Sequence, residues 1–276
     1  MEETIHRPAN IFKNKKLLIG MIHVKALPGT PSNKLSPKQI VDKCIAEAKI
    51  YNDNNIDSIM IENMHDIPYL KRKVGPEIVT MMSVIAVEIR KIIPQERPIG
   101  IQILAGANID ALAVAHTSNL NYIRAEGFVY AHVADEGFFE SDAGELLRYR
   151  KQIGAESVNI FTDIKKKHSS NYITNDLSIA EMAKNAEFFL SDGIVITGSS
   201  TGFEADVEEI ISVRKETNLP ILIGSGITYD NIDKYFNYAE GFIIGSYFKE
   251  KGYWKNDLDE NKIGSFVQKF KNLYLN

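Results

Sequence analysis

Three apolar segments in the last third of the chain each run into glycines and small hydroxyl residues. They read GIVITGSSTG from Gly193, PILIGSGIT from Pro220 and GFIIGS from Gly241. Backbone amides that glycine leaves uncovered, beside hydroxyl groups and just before helices, are well suited to bind a phosphate group. The residues predicted to form this phosphate site are Thr197, Gly198, Thr201, Gly202, Gly224, Ser225, Gly226, Gly245 and Ser246.

Ionisable and amide side chains follow earlier apolar segments of the chain. His23 ends LLIGMIH, Glu62 ends DSIMIE, and a charged run follows in FTDIKKKHSS from Phe161. Imidazole, carboxylate and amine groups can move protons, and a lysine of lowered pKa can form a Schiff base. The predicted catalytic residues are His23, Glu62, Asp163, Lys165, Lys167 and His168, and the predicted substrate-binding residues are Asn63, Gln102, Arg124 and Glu126.

Each of these residues also has a purely structural interpretation. His23 could bond to a loop carbonyl, Glu62 could form a salt bridge with Arg124, and the charged run could be a solvated cluster. Glycines after strands can serve only to relieve tight turns. Period-two alternation along the strand places Asp163 and Lys165 on one face, with Lys166 pointing the other way.

Short β-branched segments alternate with segments of helical period along the whole chain. The predicted strands are 17–23, 57–62, 98–104, 121–125, 157–163, 193–197, 220–224 and 241–244, and the predicted helices are 36–53, 76–93, 107–118, 142–152, 178–190, 204–217, 229–237 and 259–273. Eight β/α units favour a closed (β/α)8 TIM barrel over an open sheet, and no G-x-G-x-x-G follows the first strand. We expect one domain over residues 1–276, with residues 1–16 as an N-terminal extension.

Two connections are long enough to fold over the mouth of such a barrel. Residues 127–141 carry aromatic, histidine and acidic side chains, and residues 165–177 form a second candidate flap. Long βα connections are usually functional. Both follow strands on the predicted site face.

Composition and charge exclude several classes of function. A formal net charge of −4 with scattered lysines and arginines disfavours a nucleic-acid partner. The single cysteine, Cys44, cannot form an intrachain disulfide, which fits a reducing compartment. Without a secretory signal or a long apolar run, we expect a cytoplasmic protein with no membrane span.

Several segments, taken in order and spacing, make the chain similar to the BtpA family from about residue 17 to residue 270. The segments are GMIHVKALPGTP from Gly20, IENMHDIPY from Ile61, LLRYRKQIGA from Leu146, TDIKKKHSS from Thr162, DGIVITGSSTG from Asp192, ILIGSGIT from Ile221 and EGFIIGSYFKEKG from Glu240. The resemblance implies a phosphate-binding barrel like those of tryptophan and histidine biosynthesis. By matching positions, it implies that the ligand faces His23, Glu62, Asn63, Lys167, His168, Thr197, Gly198, Gly224, Ser225, Gly226 and Gly245.

The resemblance also raises a different class of function. The founding member is associated with biogenesis of photosystem I, which implies a non-catalytic assembly factor for a membrane complex as an alternative. In this chain QILAGAN from Gln102 and RAEGFVYAHVADEG from Arg124 depart from the photosynthetic pattern. We therefore expect a different ligand in the half of the site away from the phosphate.

We expect an enzyme that acts on a small phosphorylated substrate, such as a sugar phosphate or a ribosyl-phosphate compound. The reaction classes left open are isomerisation, lyase chemistry and cleavage of a glycosyl-type bond. No cofactor and no metal are predicted, and a homo-oligomer is expected. A further alternative is a metal-dependent hydrolase that uses His23, Glu62, Asp163 and His168.

Overall fold

The computed structural model describes residues 10–13, 15–166, 168–198 and 203–275 of the chain. In chain order the strands are β1 (Leu17–His23), β2 (Ser58–Glu62), β3 (Ile99–Gln102), β4 (Tyr122–Ala125), β5 (His132–Ala134), β6 (Gly137–Phe139), β7 (Asn159–Asp163), β8 (Ser169–Ser170), β9 (Gly193–Thr197), β10 (Ile221–Gly224) and β11 (Gly241–Ile244). The helices are α1 (Pro37–Asp53), α2 (Pro76–Ile92), α3 (Asn108–Thr117), α4 (Ala143–Gln152), α5 (Ile179–Phe188), α6 (Val207–Glu216), α7 (Ile232–Tyr235) and α8 (Glu260–Asn272).

Eight parallel strands close into a barrel in the order β1-β2-β3-β4-β7-β9-β10-β11, with β11 paired back to β1. His23 pairs with Glu62, and Glu62 pairs with Gln102, so these ends lie side by side. The predicted (β/α)8 TIM barrel is confirmed, and every predicted barrel strand is present. No helix in the described part of the chain is long and apolar enough to cross a membrane.

Local sequence signals explain where several helices begin. Ser36 and Ser178 each form a capping box with the residue three positions on, Gln39 and Glu181. Helix α6 begins later than the predicted residue 204, because the Asp206 side chain accepts from Glu208 N and caps the helix there. Helix α7 is a single turn and is shorter than the predicted 229–237.

The barrel interior is filled by alternate residues of each strand. On β1 the interior residues are Leu17, Ile19 and Met21, whereas Leu18 and Ile22 pack outwards against the helices. Large interior side chains occupy space beside glycines on neighbouring strands: a Cβ on Gly100 would lie 2.0 Å from Tyr122 Cε2. The barrel below the mouth is therefore solid.

The segment before β1 closes the floor of the barrel. Ile11 and Phe12 are buried against the lowest interior side chains, and the Phe12 ring lies 5.9 Å from the Phe161 ring. Lys15 N donates to Phe12 O and turns the chain into β1. The floor is therefore sealed by residues outside the eight β/α units.

We predict that Phe12→Ala lowers the free energy of unfolding by about 3 kcal/mol, because it removes a buried aromatic side chain and leaves a cavity. Urea unfolding should show a lower midpoint with an unchanged slope. Phe188→Ala is the matched control, since that ring is 79% exposed, and it should cost less than about 0.5 kcal/mol. Similar small effects in both variants would show that the floor does not depend on Phe12.

Candidate active site at the barrel mouth

The alternation that fills the barrel also determines which side chains reach the mouth. Continuing the interior positions by two residues past Met21, Met60 and Tyr122 leads to His23, Glu62 and Arg124. These three are buried, as are the corresponding residues of the neighbouring strands, Gln102, Asp163 and Thr197. A layer of polar groups thus lies directly on the apolar interior.

One cavity of about 200 Å³ opens at this mouth. It joins His23, Glu62 and Arg124 to the loops that follow β10 and β11. Of the predicted site residues, those that line it together are His23, Glu62, Arg124, Ser225, Gly226, Gly245 and Ser246. The structure therefore brings predicted catalytic, substrate-binding and phosphate-binding residues to a single cavity.

The loop after β10 has an unusual backbone. Ser225 and Gly226 both have positive φ, at 78° and 71°. Ser225 is sterically strained in this conformation because it carries a Cβ. The Ser225 hydroxyl is buried without a hydrogen-bond partner among the described residues. Asn231 fixes the turn, since it accepts from Thr228 N at 2.7 Å and donates to Gly226 O at 2.8 Å. Buried hydroxyl groups without a hydrogen-bond partner are uncommon in folded proteins, so this one requires an explanation.

Close backbone packing explains two glycines of the predicted phosphate site. A Cβ on Gly198 would lie 2.2 Å from Phe203 O, and one on Gly226 would lie 2.1 Å from the same oxygen. The loops after β9 and β10 therefore meet at Phe203. Gly245 instead faces the site, where a Cβ would lie 3.2 Å from His23 Cε1. Gly224 adjoins Thr197 and Arg124 in the wall.

Arg124 forms a bidentate ion pair with Asp163 in the mouth. Its Nε and Nη2 donate to the two carboxylate oxygens at 2.9 and 2.7 Å, and both side chains are buried. Burial lowers the pKa of Arg124, but the charge and hydrogen bonds of Asp163, with the charges of Glu62 and Glu126, raise it by more, so the net shift is upward. Arg124 is thus held in a fixed plane at the cavity wall.

A second pair lies next to the first, on the same half of the mouth. Lys166 Nζ lies 2.9 Å from Glu126 Oε2, and Gln102 Nε2 donates to Glu126 Oε1 at 3.0 Å. The prediction that Lys166 points away from the site is wrong, because β7 ends at Asp163 and Lys165 has a φ of 45°. Burial lowers the pKa of Lys166, whereas the Glu126 charge raises it, and the net shift is upward.

The two predicted flaps pair with each other above this side of the mouth. Strands β5 and β6 form a hairpin from the first flap, and β8 from the second flap adds to β5. Phe139 of the hairpin is buried, stacks on the His132 ring at 5.1 Å and lies under Lys166. Burial, together with the charges of Lys166 and Arg72, lowers the pKa of His132 to about 4, so the ring stays neutral at pH 7. We name this three-stranded element the lid.

The remaining predicted residues have other surroundings. Asn63 donates to Asp66 and accepts from Leu104 N. Its amide therefore joins the loop after β2 to the loop after β3. Lys165 borders a small cavity of about 20 Å³ that Asp163 and Lys166 also line, and His168 is exposed. Lys167, Thr201 and Gly202 lie outside the described residues, and their predicted roles stay predictions.

The donor groups proposed for a metal do not gather in the described ranges. Asp163 is engaged by Arg124, and His168 is exposed. Among the residues that the structure describes, no group of three His, Cys, Asp or Glu side chains could hold a metal ion. The arrangement therefore gives the hydrolase alternative no set of ligands there.

A comparison with protein families matches residues 14–272 to the model described as the BtpA family. The chain belongs to the BtpA family. Among curated proteins, it is 51% identical over 258 residues to a Caenorhabditis elegans protein whose name reads uncharacterized and mitochondrial, covering 92% of this chain and 93% of that protein. It is 28% identical to the Photosystem I biogenesis protein BtpA of Synechocystis, covering 93% of this chain and 88% of that protein.

Solved structures similar to this BtpA-family chain are TIM barrels with very different sequences. Thiamine phosphate pyrophosphorylase from Pyrococcus furiosus superposes with a TM-score of 0.61 at 10% identity, covering 96% of this chain and 99% of that one. Phosphoribosyl anthranilate isomerase from Thermus thermophilus superposes with a TM-score of 0.57 at 10% identity, covering 93% of this chain and 99% of that one. At such identities the likeness establishes the fold alone.

We predict that Asp163→Leu in this BtpA-family protein lowers the free energy of unfolding by about 3 kcal/mol, because it leaves the Arg124 guanidinium buried and unpaired. The double variant Arg124→Met with Asp163→Leu should regain most of that loss. Lys38→Ala, which breaks an exposed pair with Asp42, should cost about 0.5 kcal/mol or less. Urea unfolding of the natural protein, the two single variants and the double variant measures these differences. A double variant less stable than Asp163→Leu would contradict the prediction.

Proposed function

We propose that this BtpA-family protein is an enzyme that acts on a small phosphorylated metabolite, such as a sugar phosphate or a ribosyl-phosphate compound. The observation that carries the proposal is the single cavity shared by His23, Glu62, Arg124 and the loops after β10 and β11. A phosphate in those loops would place the rest of a small ligand against the ionisable groups. Proximity of this kind is a main source of catalytic rate.

The phosphate itself would be held by the loops of the last two barrel strands. Ser225 supplies a hydroxyl without a partner among the described residues, and Ser246 begins a 3-10 turn directly after Gly245. Gly245 leaves room beside the His23 ring. In this proposal Thr197, the last residue of β9, and Gly198, which follows it, lie behind Gly224.

Glu62 and His23 would move protons during the reaction. They end adjacent strands in register, and both line the cavity. The His23 ring is held by Trp254, whose carbonyl oxygen lies 3.4 Å from His23 Nδ1. Arg124, fixed by Asp163, would orient a substrate oxygen. A carboxylate and an imidazole that both reach the reacting bond of a substrate can act as its acid and base. Isomerisation, lyase chemistry and glycosyl-type cleavage all use such a pair.

The names of the structural relatives agree with this substrate class. Thiamine phosphate pyrophosphorylase and phosphoribosyl anthranilate isomerase are both named for phosphorylated compounds. Phosphate sites of TIM barrels commonly lie at the loops after the seventh and eighth barrel strands. In this chain those strands are β10 and β11, and the cavity lies at the loops that follow them.

We predict that Ser225→Ala weakens phosphate binding about fivefold, because it removes one hydrogen bond of about 1 kcal/mol. Binding should be followed by thermal shift with inorganic phosphate and a panel of phosphorylated metabolites. The melting temperature without ligand should hardly change, since alanine tolerates the positive φ no worse than serine. Ser83→Ala is the matched control, because that hydroxyl bonds within α2. No stabilisation of the natural protein by any phosphate compound would overturn the proposal.

A second candidate is a non-catalytic assembly factor. The observations that favour it are the name of the Synechocystis relative and an exposed apolar run, Phe188, Phe189 and Leu190, at the end of α5. An assembly factor would use such a surface and would not need the acid–base groups of the mouth.

Glu62→Gln separates the two candidates. If the protein is an enzyme, the variant should still bind the phosphorylated ligand found in the screen but turn it over about 100-fold more slowly or worse. Product formation by the natural protein and the variant, measured by mass spectrometry, is the readout. Equal turnover in both proteins would remove Glu62 from the mechanism, and turnover by neither would favour the assembly factor.

A further inference from the structure

A second and larger cavity, of about 400 Å³, lies beside the mouth. It is walled by the loop after β1, the loop after β2 and the loop that leads from β11 to α8. Its lining residues are Lys25, Ala26, Ser32, Lys34, Leu35, His65, Ile67, Trp254 and Lys255. None of the predicted site residues belongs to this set.

One wall of this cavity is aromatic. Trp254, the single tryptophan of the chain, lies with its ring centroid 4.8 Å from that of His65. The two rings are tilted by 52°, and Trp254 is only partly buried. Indole and imidazole faces offer a stacking surface for a flat ring.

The other walls carry positive charge. Lys25, Lys34 and Lys255 all line the cavity, and Lys255 Nζ lies 5.1 Å from the centre of the Trp254 ring. Lys25 Nζ donates to Lys255 O at 3.0 Å, which joins the first loop to the last. Three cations around a stacking surface define a site for an anion that carries a ring.

No acidic side chain belongs to the described lining of this cavity. Acids of the adjoining segments have partners of their own: Asp66 accepts from Leu27 N and Thr30 Oγ1, Glu47 pairs with Lys249 at 2.8 Å, and Asp257 lies 4.0 Å from Lys43. The pKa of His65 agrees with a positive field, because burial together with the charges of Lys25, Lys249 and Lys255 lowers it to about 4. His65 is therefore neutral at pH 7 and is a flat wall in a positive field.

We propose that this cavity is a second binding site, separate from the phosphate cavity, for a flat conjugated ring that carries a carboxylate or a phosphate group. The ring lies against Trp254 and His65, and its anionic group meets Lys34 and Lys255. Leu35, Ala26 and Ile67 cover the edges of the ring. The site does not depend on the proposed function, because no residue of the phosphate cavity lines it.

Trp254 makes the test direct, since all tryptophan fluorescence of the protein arises beside this cavity. We predict that adenosine monophosphate or nicotinate quenches this fluorescence in a saturable way. The corresponding uncharged compounds, adenosine and nicotinamide, should bind about tenfold more weakly or worse. Added salt should weaken the binding of both anions. The two anions distinguish a phosphate from a carboxylate as the charged group.

Charge reversal tests the role of the lysines. Lys34→Glu should raise the dissociation constant of the quenching anion about fivefold or more, because an attraction becomes a repulsion. Lys215→Glu is the matched control, since Lys215 is exposed on α6 and does not line the cavity. The control should bind as the natural protein does.

Two further measurements separate this site from the phosphate cavity. Ribose phosphate lacks a conjugated ring and should not quench Trp254, and Ser225→Ala should leave quenching by the ring anions unchanged. Quenching by ribose phosphate alone, or its loss in Ser225→Ala, would place the signal in the mouth and overturn the proposal. Absence of quenching by every ring anion, or equal affinity in Lys34→Glu, would overturn it as well.

Discussion

Closure of the parallel sheet is the constraint on which the rest of this structure depends. Once the strands form a closed barrel, every second residue must face inwards, and the interior below the mouth fills with apolar side chains. The next inward positions cannot pack in that way, because the barrel opens there. His23, Glu62 and Arg124 occupy these positions and so converge although they are far apart in sequence.

Burying so many ionisable groups in one layer requires that their charges compensate each other. Arg124 with Asp163 and Lys166 with Glu126 form two neutral pairs on one half of the mouth. The lid contacts that half through its Phe139, whose buried ring lies 5.5 Å from Lys166 Nζ. The loops after β10 and β11 contribute hydroxyl and backbone groups to the other half. The mouth is thus divided into a charge-paired half next to the lid and a half in which we propose that a phosphate binds.

The sequence carried enough information for the barrel, because eight apolar segments alternate with helical periods and the interior alternation follows from them. His23, Glu62, Arg124 and Ser225 could therefore be assigned to one cavity in advance. Side-chain pairing could not be read in the same way, because nothing in the sequence shows that Arg124 donates two hydrogen bonds to Asp163. The alternation failed at Lys166, since it presumes a continuous strand and the chain turns at Lys165.

Trp254 illustrates what periodicity cannot reveal, since its loop has no regular pattern and its neighbours come from the loops after β1 and β2. Its position is nevertheless informative about the mouth. The carbonyl oxygen of Trp254 lies 3.4 Å from His23 Nδ1, and its ring packs edge-on against the His23 ring. One residue thus contacts a mouth histidine through its backbone and walls the neighbouring cavity through its side chain. Residue 254 thus lies between the two cavities, in contact with His23 of the first and His65 of the second.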